Sequence, residues 1–250
     1  EIVSICAAAR MNAKLKRRWP LNQAIICVEK DQQQKVELLS ELLRTQLNVE
    51  NYKIVELENH IGLSEFLEMK KVNLPVIPKV ELDRKAIGPK AKQSLEKLLE
   101  LFRKTNPEEI IQSLAKTRSF TFDIDGHRIS LEIDDFIISF DVQEGFAFSK
   151  RNNLIGIISA VRNEELMAKG LMKDLARRLQ TLRKERGYSP TDILNTASIL
   201  DLDEESVGML KDKTEELAFL VRVKSVNFTK TCKKYKDDDI DGQKIKISVE

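Results

Sequence analysis

The sequence has few of the residues on which most catalytic and metal sites depend. Its 250 residues include three cysteines, two histidines and one tryptophan, and aromatic residues make up 6%. A zinc site needs about four ligands at short spacings, whereas Cys6, Cys27 and Cys232 are far apart in the chain. An odd number of scattered cysteines is typical of reduced thiols in the cytoplasm. We therefore predict a cytoplasmic protein without a metal site.

The sequence also lacks long apolar runs and an excess of charge of one sign. No apolar stretch approaches the roughly 18 residues that cross a bilayer, so we expect no membrane partner. Lysine and arginine number 42 and aspartate and glutamate 40, which gives a net charge of +2. Only local cationic clusters could therefore bind a polyanion. The candidate clusters lie at residues 14–18, 84–92, 164–188 and 230–236.

Two short motifs resemble known sites but are incomplete. Residues 60–63 read His-Ile-Gly-Leu, so the second histidine of the His-Ile-Gly-His motif of nucleotide-activating sites is missing. Residues 237–242 match the first half of a calcium loop, but Ser248 occupies the position of its bidentate glutamate. An acidic hairpin loop is the better interpretation of the second motif. Neither motif predicts a catalytic or metal site.

The periodicity of the apolar residues predicts an α+β fold. Residues 22–58 have the order strand, helix, strand, which is typical of a right-handed crossover unit. Residues 118–160 alternate with a period of two around Asp125-Gly126, which predicts a small antiparallel sheet that begins with a hairpin. In residues 161–250 we expect two helices on one face of an antiparallel sheet. The predicted fold is a small mixed α/β unit followed by antiparallel sheets covered by amphipathic helices, with domains at 1–21, 22–82, 83–160 and 161–250.

The helix predicted for residues 164–188 has an apolar side and a cationic side. The apolar stripe consists of Leu171, Leu175, Leu179 and Leu182. The cationic stripe, whose members fall within about 80° of one another, consists of Lys169, Lys173, Arg177 and Lys184. Arg178 and Arg186 point nearer the apolar stripe, so we expect them to pair or cap inside the fold. The pattern fits a solvated amphipathic helix, and it also fits a helix that faces a phosphate backbone.

A second cationic cluster lies on one side and at the end of a helix predicted for residues 1–16. The helix should end before Trp19-Pro20, because proline disfavours helical geometry in the preceding residue. The basic residues of the cluster are Arg10, Lys14, Lys16, Arg17 and Arg18. A tryptophan beside such a cluster either stacks on unpaired bases or covers a hydrophobic seam. Both interpretations of Trp19 are open at this point.

These residues resemble one family, the isoleucyl-tRNA synthetases, and most closely its archaeal and eukaryotic type. Residues 9–21 resemble the stretch that closes the family's anticodon-binding helical domain, with its Ala-Arg, Lys-x-Lys and Arg-x-Pro-Leu patterns. Leu47-Asn48-Val49 resembles Leu-Asn-Val, and residues 87–90 resemble Leu-Gly-Pro-Lys. Residues 170–184 resemble Gly-Leu-x-Arg-Glu-x-x-Arg-Arg-Ile-Gln-x-Leu-Arg-Lys. The matches occur in the family's order and extend to about residue 192.

The resemblance implies a C-terminal piece of a class I aminoacyl-tRNA synthetase, with residues 1–21 as the end of the helical anticodon-binding bundle. The piece would hold tRNA(Ile) and help to position its anticodon stem-loop for aminoacylation by upstream domains of the same synthetase. We expect no catalytic site and no cofactor in this chain, since ATP and Mg would be used by an upstream domain. The alternative is a protein–protein docking module in a multi-synthetase assembly. The expected tRNA contacts are Arg10, Lys14, Lys16, Arg17, Arg18, Trp19, Lys169, Lys173, Arg177 and Lys184.

Overall fold

The computed structural model describes residues 1–250 except 31, 230, 232 and 233. Cys232 and two lysines of the 230–236 cluster therefore lie outside the described residues. The helices are α1 (Ile2–Asn12), α2 (Gln33–Glu37), α3 (Ser40–Leu47), α4 (Gly62–Lys71), α5 (Arg84–Ala91), α6 (Leu95–Lys104), α7 (Pro107–Thr117), α8 (Glu164–Glu185), α9 (Glu204–Leu210) and α10 (Thr214–Val221). The strands are β1 (Leu21–Glu29), β2 (Val49–Leu57), β3 (Val76–Leu82), β4 (Ser119–Ile124), β5 (His127–Glu132), β6 (Phe136–Val142), β7 (Phe146–Arg151), β8 (Leu154–Ser159), β9 (Leu194–Leu200), β10 (Val223–Phe228), β11 (Lys236–Ile240) and β12 (Gln243–Val249).

Helices and several separate sheets share the chain, which confirms the predicted α+β class. The chain divides into two compact units. Unit 1 comprises residues 1–9, 25–40 and 53–158, and unit 2 comprises residues 10–24, 41–52 and 159–250. The four domains expected from the sequence stay a prediction. None of the described helices is long and apolar enough to cross a membrane.

Strands β1 and β2 are neighbours in a sheet with the order β2-β1-β8-β7. Before the two strands begin, the backbone N–H of Leu21 donates to the carbonyl of Asn48 at 3.1 Å. Beyond their ends, Lys30 pairs with Glu58 at 3.1 Å. The two strands therefore run in the same direction, with α2 and α3 between them, as the predicted strand–helix–strand order requires.

The strands of residues 118–160 do not form one antiparallel sheet, and that prediction is wrong. Strands β4 and β5 form the expected hairpin, with positive φ at Asp125 and Gly126. Strand β6 instead pairs with β3, and β7 and β8 belong to the sheet that contains β1. A period of two identifies a strand and its buried face, but it does not identify the partner strand.

Two buried carboxylates of unit 1 are each matched by one lysine. Lys90 lies 2.5 Å from the carboxylate of Asp135, which also accepts the backbone N–H of Glu132 at 2.7 Å. Lys150 lies 2.5 Å from the carboxylate of Glu65. Both acids are almost fully buried. In each pair a single cation balances a single acid, so neither pair leaves an excess of charge.

The core of unit 2 lies between α8, α10 and a sheet of order β10-β9-β12-β11. Its apolar stripe is as predicted, because all four leucines of α8 are buried in this core. The sheet is mixed rather than antiparallel, since β10 pairs parallel with β9. The physical reason is that α9 and α10 lie between β9 and β10 and supply the crossover that a parallel pair needs. The acids at 237–239, which the sequence placed in a loop, lie in β11, and the turn is at Asp241-Gly242.

Candidate nucleic-acid interface

Arg10 fixes the backbone of the loop that follows α1. Its guanidinium donates to the carbonyl oxygens of Trp19 at 2.8 Å, Leu47 at 2.7 Å, Asn48 at 3.0 Å and Lys16 at 3.3 Å. The side chain is buried. Because the buried guanidinium directs its N–H donors to these four backbone carbonyls, Arg10 organises the loop from inside and does not face solvent where a phosphate could bind.

Trp19 covers α8 and does not project into solvent. The ring is only 7% exposed. A β-carbon added at Gly170 would lie 2.5 Å from the ring, so the glycine allows the tryptophan to lie directly against the helix. The indole Nε1 donates to Asp174 at 2.9 Å, and the guanidinium of Arg162 lies 4.7 Å from the ring centroid. The structure thus favours the seam interpretation of Trp19 over base stacking.

Asp174 is the carboxylate around which the loop side chains are arranged. It is buried and accepts Trp19 Nε1, Arg18 Nη1 at 3.2 Å and Lys16 Nζ at 3.4 Å. Burial acts to raise the pKa of Asp174, but the hydrogen bond from Trp19 and the charges of Lys16 and Arg18 outweigh it and hold the pKa below its usual value. The carboxylate is therefore ionised at neutral pH. Asp174 was not among the predicted contacts, although it belongs to the stretch of residues 170–184 that resembles the family.

Asn48 connects the same loop to α8. Its Nδ2 donates to the carbonyls of Arg17 at 3.3 Å and Arg18 at 2.8 Å, and its Oδ1 accepts from Lys173 Nζ at 3.0 Å. The backbone of Asn48 is left-handed (φ 50°), a conformation in which asparagine is enriched. Partial burial lowers the pKa of Lys173. Asn48 belongs to the Leu-Asn-Val motif, so the motif indicated the position of this residue but not its role.

An open concave surface lies between the loop and α8, and we call it the cationic cleft. Its lining residues are Lys16, Arg17, Arg18, Asp174, Arg177 and Arg178, and its volume is about 390 Å³. Arg17 and Arg177 are exposed, and within the described part of the chain no side-chain partner is found for either guanidinium. Arg178 is held at one side by Asp238 at 3.3 Å. The cleft therefore combines five cations with one acid.

The other predicted contact residues lie outside the cleft lining. Lys14 is exposed in the loop and Lys184 is exposed on α8. Lys169 is paired with Glu50 at 2.6 Å and Glu165 at 2.7 Å. Hydrogen bonds to Glu165 and Glu50 raise the pKa of Lys169, so its charge is retained but shared with two acids.

Three arginines, in α8 or directly after it, form contacts within unit 2. Arg178 pairs with Asp238 and donates to the carbonyl of Asp239, and Arg186 donates to the carbonyls of Lys234 and Val249. The prediction that Arg178 and Arg186 pair inside the fold is confirmed. The burial of Arg183 was not predicted. This residue is buried and donates to the carbonyls of Ser189, Asp192, Val221 and Arg222.

The structure contains no group of three potential metal ligands among its described residues. In unit 1, burial raises the pKa of the Cys27 thiol to about 12, and the charge of Glu65 acts in the same direction. A thiol of this kind is unreactive, because the thiolate is the nucleophile and the metal ligand.

Comparison with known proteins gives one recurrent match. No protein-family profile matches the chain. Isoleucine–tRNA ligase of Saccharolobus solfataricus is 29% identical over 217 residues, which cover 86% of this chain and 20% of the relative. The enzyme of the same name from Porphyromonas gingivalis is 26% identical over 77% of this chain and 16% of its own length. That from Clostridium novyi is 25% identical over 100% of this chain and 22% of its own length.

The resemblance to isoleucyl-tRNA synthetases is thereby confirmed for most of the chain, with both archaeal and bacterial relatives. The chain spans about a fifth of the length of these relatives. The similarity is consistent with a C-terminal region of such an enzyme. Three of the four stretches that carried the resemblance meet in unit 2, where Arg10, Trp19, Asn48, Gly170 and Asp174 are linked by direct contacts, whereas residues 87–90 lie in unit 1.

Proposed function

We propose that the chain is the C-terminal tRNA-binding region of an isoleucine–tRNA ligase, and that the cationic cleft contacts the phosphate backbone of tRNA(Ile). One observation carries the proposal. Arg17 and Arg177, which are exposed, lie on one concave surface with Lys16, Arg18 and Arg178. A solvated helix needs no such convergence of cations from a separate loop. The similarity to isoleucine–tRNA ligases supports tRNA as the polyanion.

The chemistry of the cleft suits phosphate. An arginine guanidinium presents a planar fork that can donate two parallel hydrogen bonds to phosphate oxygens. The loop is already ordered by Arg10 and Asn48, so less conformational entropy is lost when it binds. Lys14 and Lys184 are exposed outside the cleft and would extend the contact along the phosphate backbone of the tRNA.

We expect the cleft to recognise the backbone and not the bases. Base recognition in single-stranded RNA uses stacking on exposed aromatic rings. The cleft is lined by charged side chains, and the neighbouring ring of Trp19 is packed on Gly170. The cleft would then help to place the anticodon stem-loop, whereas the choice of tRNA would depend on contacts elsewhere in the enzyme.

The experiment is a tRNA-binding titration of this chain at several salt concentrations. We expect Arg17→Glu combined with Arg177→Glu to weaken binding and to lower the slope of log affinity against log salt by about 0.7 to 0.9 for each lost phosphate contact. The matched control is Arg103→Glu combined with Lys116→Glu, two exposed cations on α6 and α7 of unit 1. The control makes the same change in net charge and should leave the slope unchanged. Equal effects of the two double variants would refute a specific role of the cleft.

Aminoacylation itself would require the upstream domains, which would bind ATP and Mg. The chain has neither an intact His-Ile-Gly-His motif nor a Lys-Met-Ser-Lys-Ser motif. We therefore expect no isoleucine-dependent exchange of pyrophosphate into ATP by the purified chain. Measurable exchange above the level of a heat-denatured sample would contradict this part of the proposal.

One observation favours the alternative docking role. Ile193 and Phe219 of unit 2 are 67% and 81% exposed, although both are large apolar residues. Such residues contribute to protein–protein interfaces when they are covered by a partner. Salt separates the two functions, because phosphate contacts weaken steeply as salt rises and an apolar docking face does not. Pull-down of other synthetases that persists at high salt and is lost in Phe219→Ser would support docking.

A further inference from the structure

Asp174 is an acid in a cleft that we propose to bind an anion, and a negative charge there should repel that anion. It is the only acid among the six residues that line the cationic cleft. Its carboxylate is ionised at neutral pH for the reasons given above. If charge alone mattered, removal of this negative charge should strengthen the binding of a polyanion.

The contacts of Asp174 suggest the opposite effect. Arg10 and Asn48 hold the loop through its backbone carbonyls. They do not fix the directions of the cationic side chains. Asp174 does so, because it accepts Arg18 Nη1 at 3.2 Å and Lys16 Nζ at 3.4 Å.

The anchor is itself rigid. Asp174 lies on the longest helix of the described residues, and its Oδ2, which accepts Lys16 Nζ, also accepts Trp19 Nε1 at 2.9 Å. The ring of Trp19 is packed against Gly170 one turn earlier in the same helix. The carboxylate therefore cannot follow the loop if the loop moves. Lys16 has one further acidic partner, Asp241 in the turn between β11 and β12.

We propose that Asp174 is a positioning residue for anion binding: it orders Lys16 and Arg18 at the edge of the cleft, so that an acid strengthens the binding of the tRNA backbone. The inference rests on the proposed function of the cleft. Long cationic side chains lose much rotamer entropy when they bind a phosphate, and side chains that are already ordered lose less. Arg18 is about half exposed, so it keeps donors for a phosphate while one nitrogen is held by Asp174.

The test is Asp174→Asn in this chain, measured by tRNA binding. Asparagine has nearly the same shape and keeps an oxygen acceptor for Trp19 Nε1, but it removes the charge that holds Lys16 and Arg18. We expect tRNA affinity to fall about fivefold to tenfold, in the range of coupling between contacting residues. The control is Glu205→Gln, an exposed acid on α9 that gives the same change in charge and should leave affinity unchanged or slightly higher.

A second pair of variants tests the inference without a change at a buried position. Arg17→Gln and Arg18→Gln each remove one exposed cation from neighbouring residues, but only Arg18 is held by Asp174. We expect Arg18→Gln to weaken binding more than Arg17→Gln does. In a double-mutant cycle, the losses from Asp174→Asn and Arg18→Gln should not add, because the first acts through the second.

The outcomes separate this inference from the proposed function. If the wild-type chain does not bind tRNA, the proposed function fails. If the chain binds tRNA but Asp174→Asn binds as tightly or more tightly, the positioning role is overturned and the proposed function survives. An Arg17→Gln loss as large as that of Arg18→Gln would overturn the positioning role as well. The indole N–H resonance of Trp19, the single tryptophan, shows whether each variant keeps the native contact to α8.

Discussion

The buried acids of the two units differ in how their charge is balanced. In unit 1, Asp135 and Glu65 are each matched by one lysine, and the lysines serve to keep a carboxylate inside the fold. In unit 2, the carboxylate of Asp174 receives two cations and an indole N–H, and further arginines lie around it. A one-to-one pair leaves a neutral surface, whereas the arrangement in unit 2 leaves a cationic one.

The same difference separates two sequence motifs that look equally basic. The Gly-Pro-Lys motif of residues 87–90 buries Ile87 and directs Lys90 to Asp135, so its cation is used in the fold. The motif in α8 instead leaves Arg177 and Lys184 exposed. A cluster of cations in a sequence thus predicts a binding surface only where the fold does not supply an acid for each cation.

The largest effect is expected from Gly170→Ala in unit 2. This substitution disrupts the packing of Trp19 on α8, next to Asp174. The new methyl group would lie 2.5 Å from the ring of Trp19, so the ring and Asp174 would have to separate. Overpacking of this kind costs about 1–3 kcal/mol. We expect the free energy of unfolding of unit 2 to fall by that amount, together with a loss of tRNA affinity. Chemical denaturation followed by Trp19 fluorescence measures the change.

Gly208→Ala is the matched control. Gly208 lies in α9 of the same unit, is exposed, and has no atom within 4 Å of an added β-carbon. In a helix this substitution stabilises by about 0.4–1 kcal/mol, because it restricts the unfolded chain. Opposite signs for the two substitutions are therefore expected. If Gly170→Ala were also neutral or stabilising, the close approach of Trp19 to α8 would not hold.

Lys90→Met should change one property only, the stability of the fold, and it tests the comparison from the side of unit 1. The substitution keeps much of the side-chain volume but leaves the carboxylate of Asp135 buried without its cation. We expect a lower thermal unfolding temperature and unchanged tRNA affinity, measured on the same preparations. A loss of tRNA affinity with unchanged stability would mean that the 84–92 cluster also binds RNA, and the contrast between the units would disappear.

Local features of the fold could be predicted from the sequence, whereas long-range strand pairings could not. The hairpin at Asp125-Gly126 and the leucine stripe of α8 were predictable because turn chemistry and helical periodicity are local. The pairing of β6 with β3 and the parallel pairing of β9 with β10 were not, because partner choice depends on distant segments. The same limit applies to the cleft. Its cations were visible in the sequence, but Arg10 and Arg17 look alike there, and only the fold buries the first and exposes the second.

The pH dependence of stability should distinguish Asp174 from a neutral residue at the same position. Its pKa is lowered in the folded chain, so its contribution to stability is fully present above the unfolded value of about 3.9 and is lost as the pH falls through the folded value. We expect the difference in unfolding free energy between the wild type and Asp174→Asn to be constant near neutral pH and to shrink below about pH 4. Denaturation curves at a series of pH values measure it. A difference that stays constant into strong acid would show that the charge of Asp174 does not stabilise unit 2.

The smallest effect is expected from thiol modification of Cys27, which lies in the core of unit 1. Burial first, and then the charge of Glu65, raise the pKa of the Cys27 thiol to about 12, while Lys53 acts in the opposite direction. At pH 8 only roughly one thiol in ten thousand would be ionised, and the side chain is inaccessible as well. We expect iodoacetamide to leave Cys27 unmodified in the folded chain and to modify it after denaturation, as read by peptide mass spectrometry, without any change in tRNA affinity during the native incubation. Rapid native modification of Cys27 would mean that the strands around it open readily, and unit 1 would then lack the closed core that the burial of Cys27 indicates.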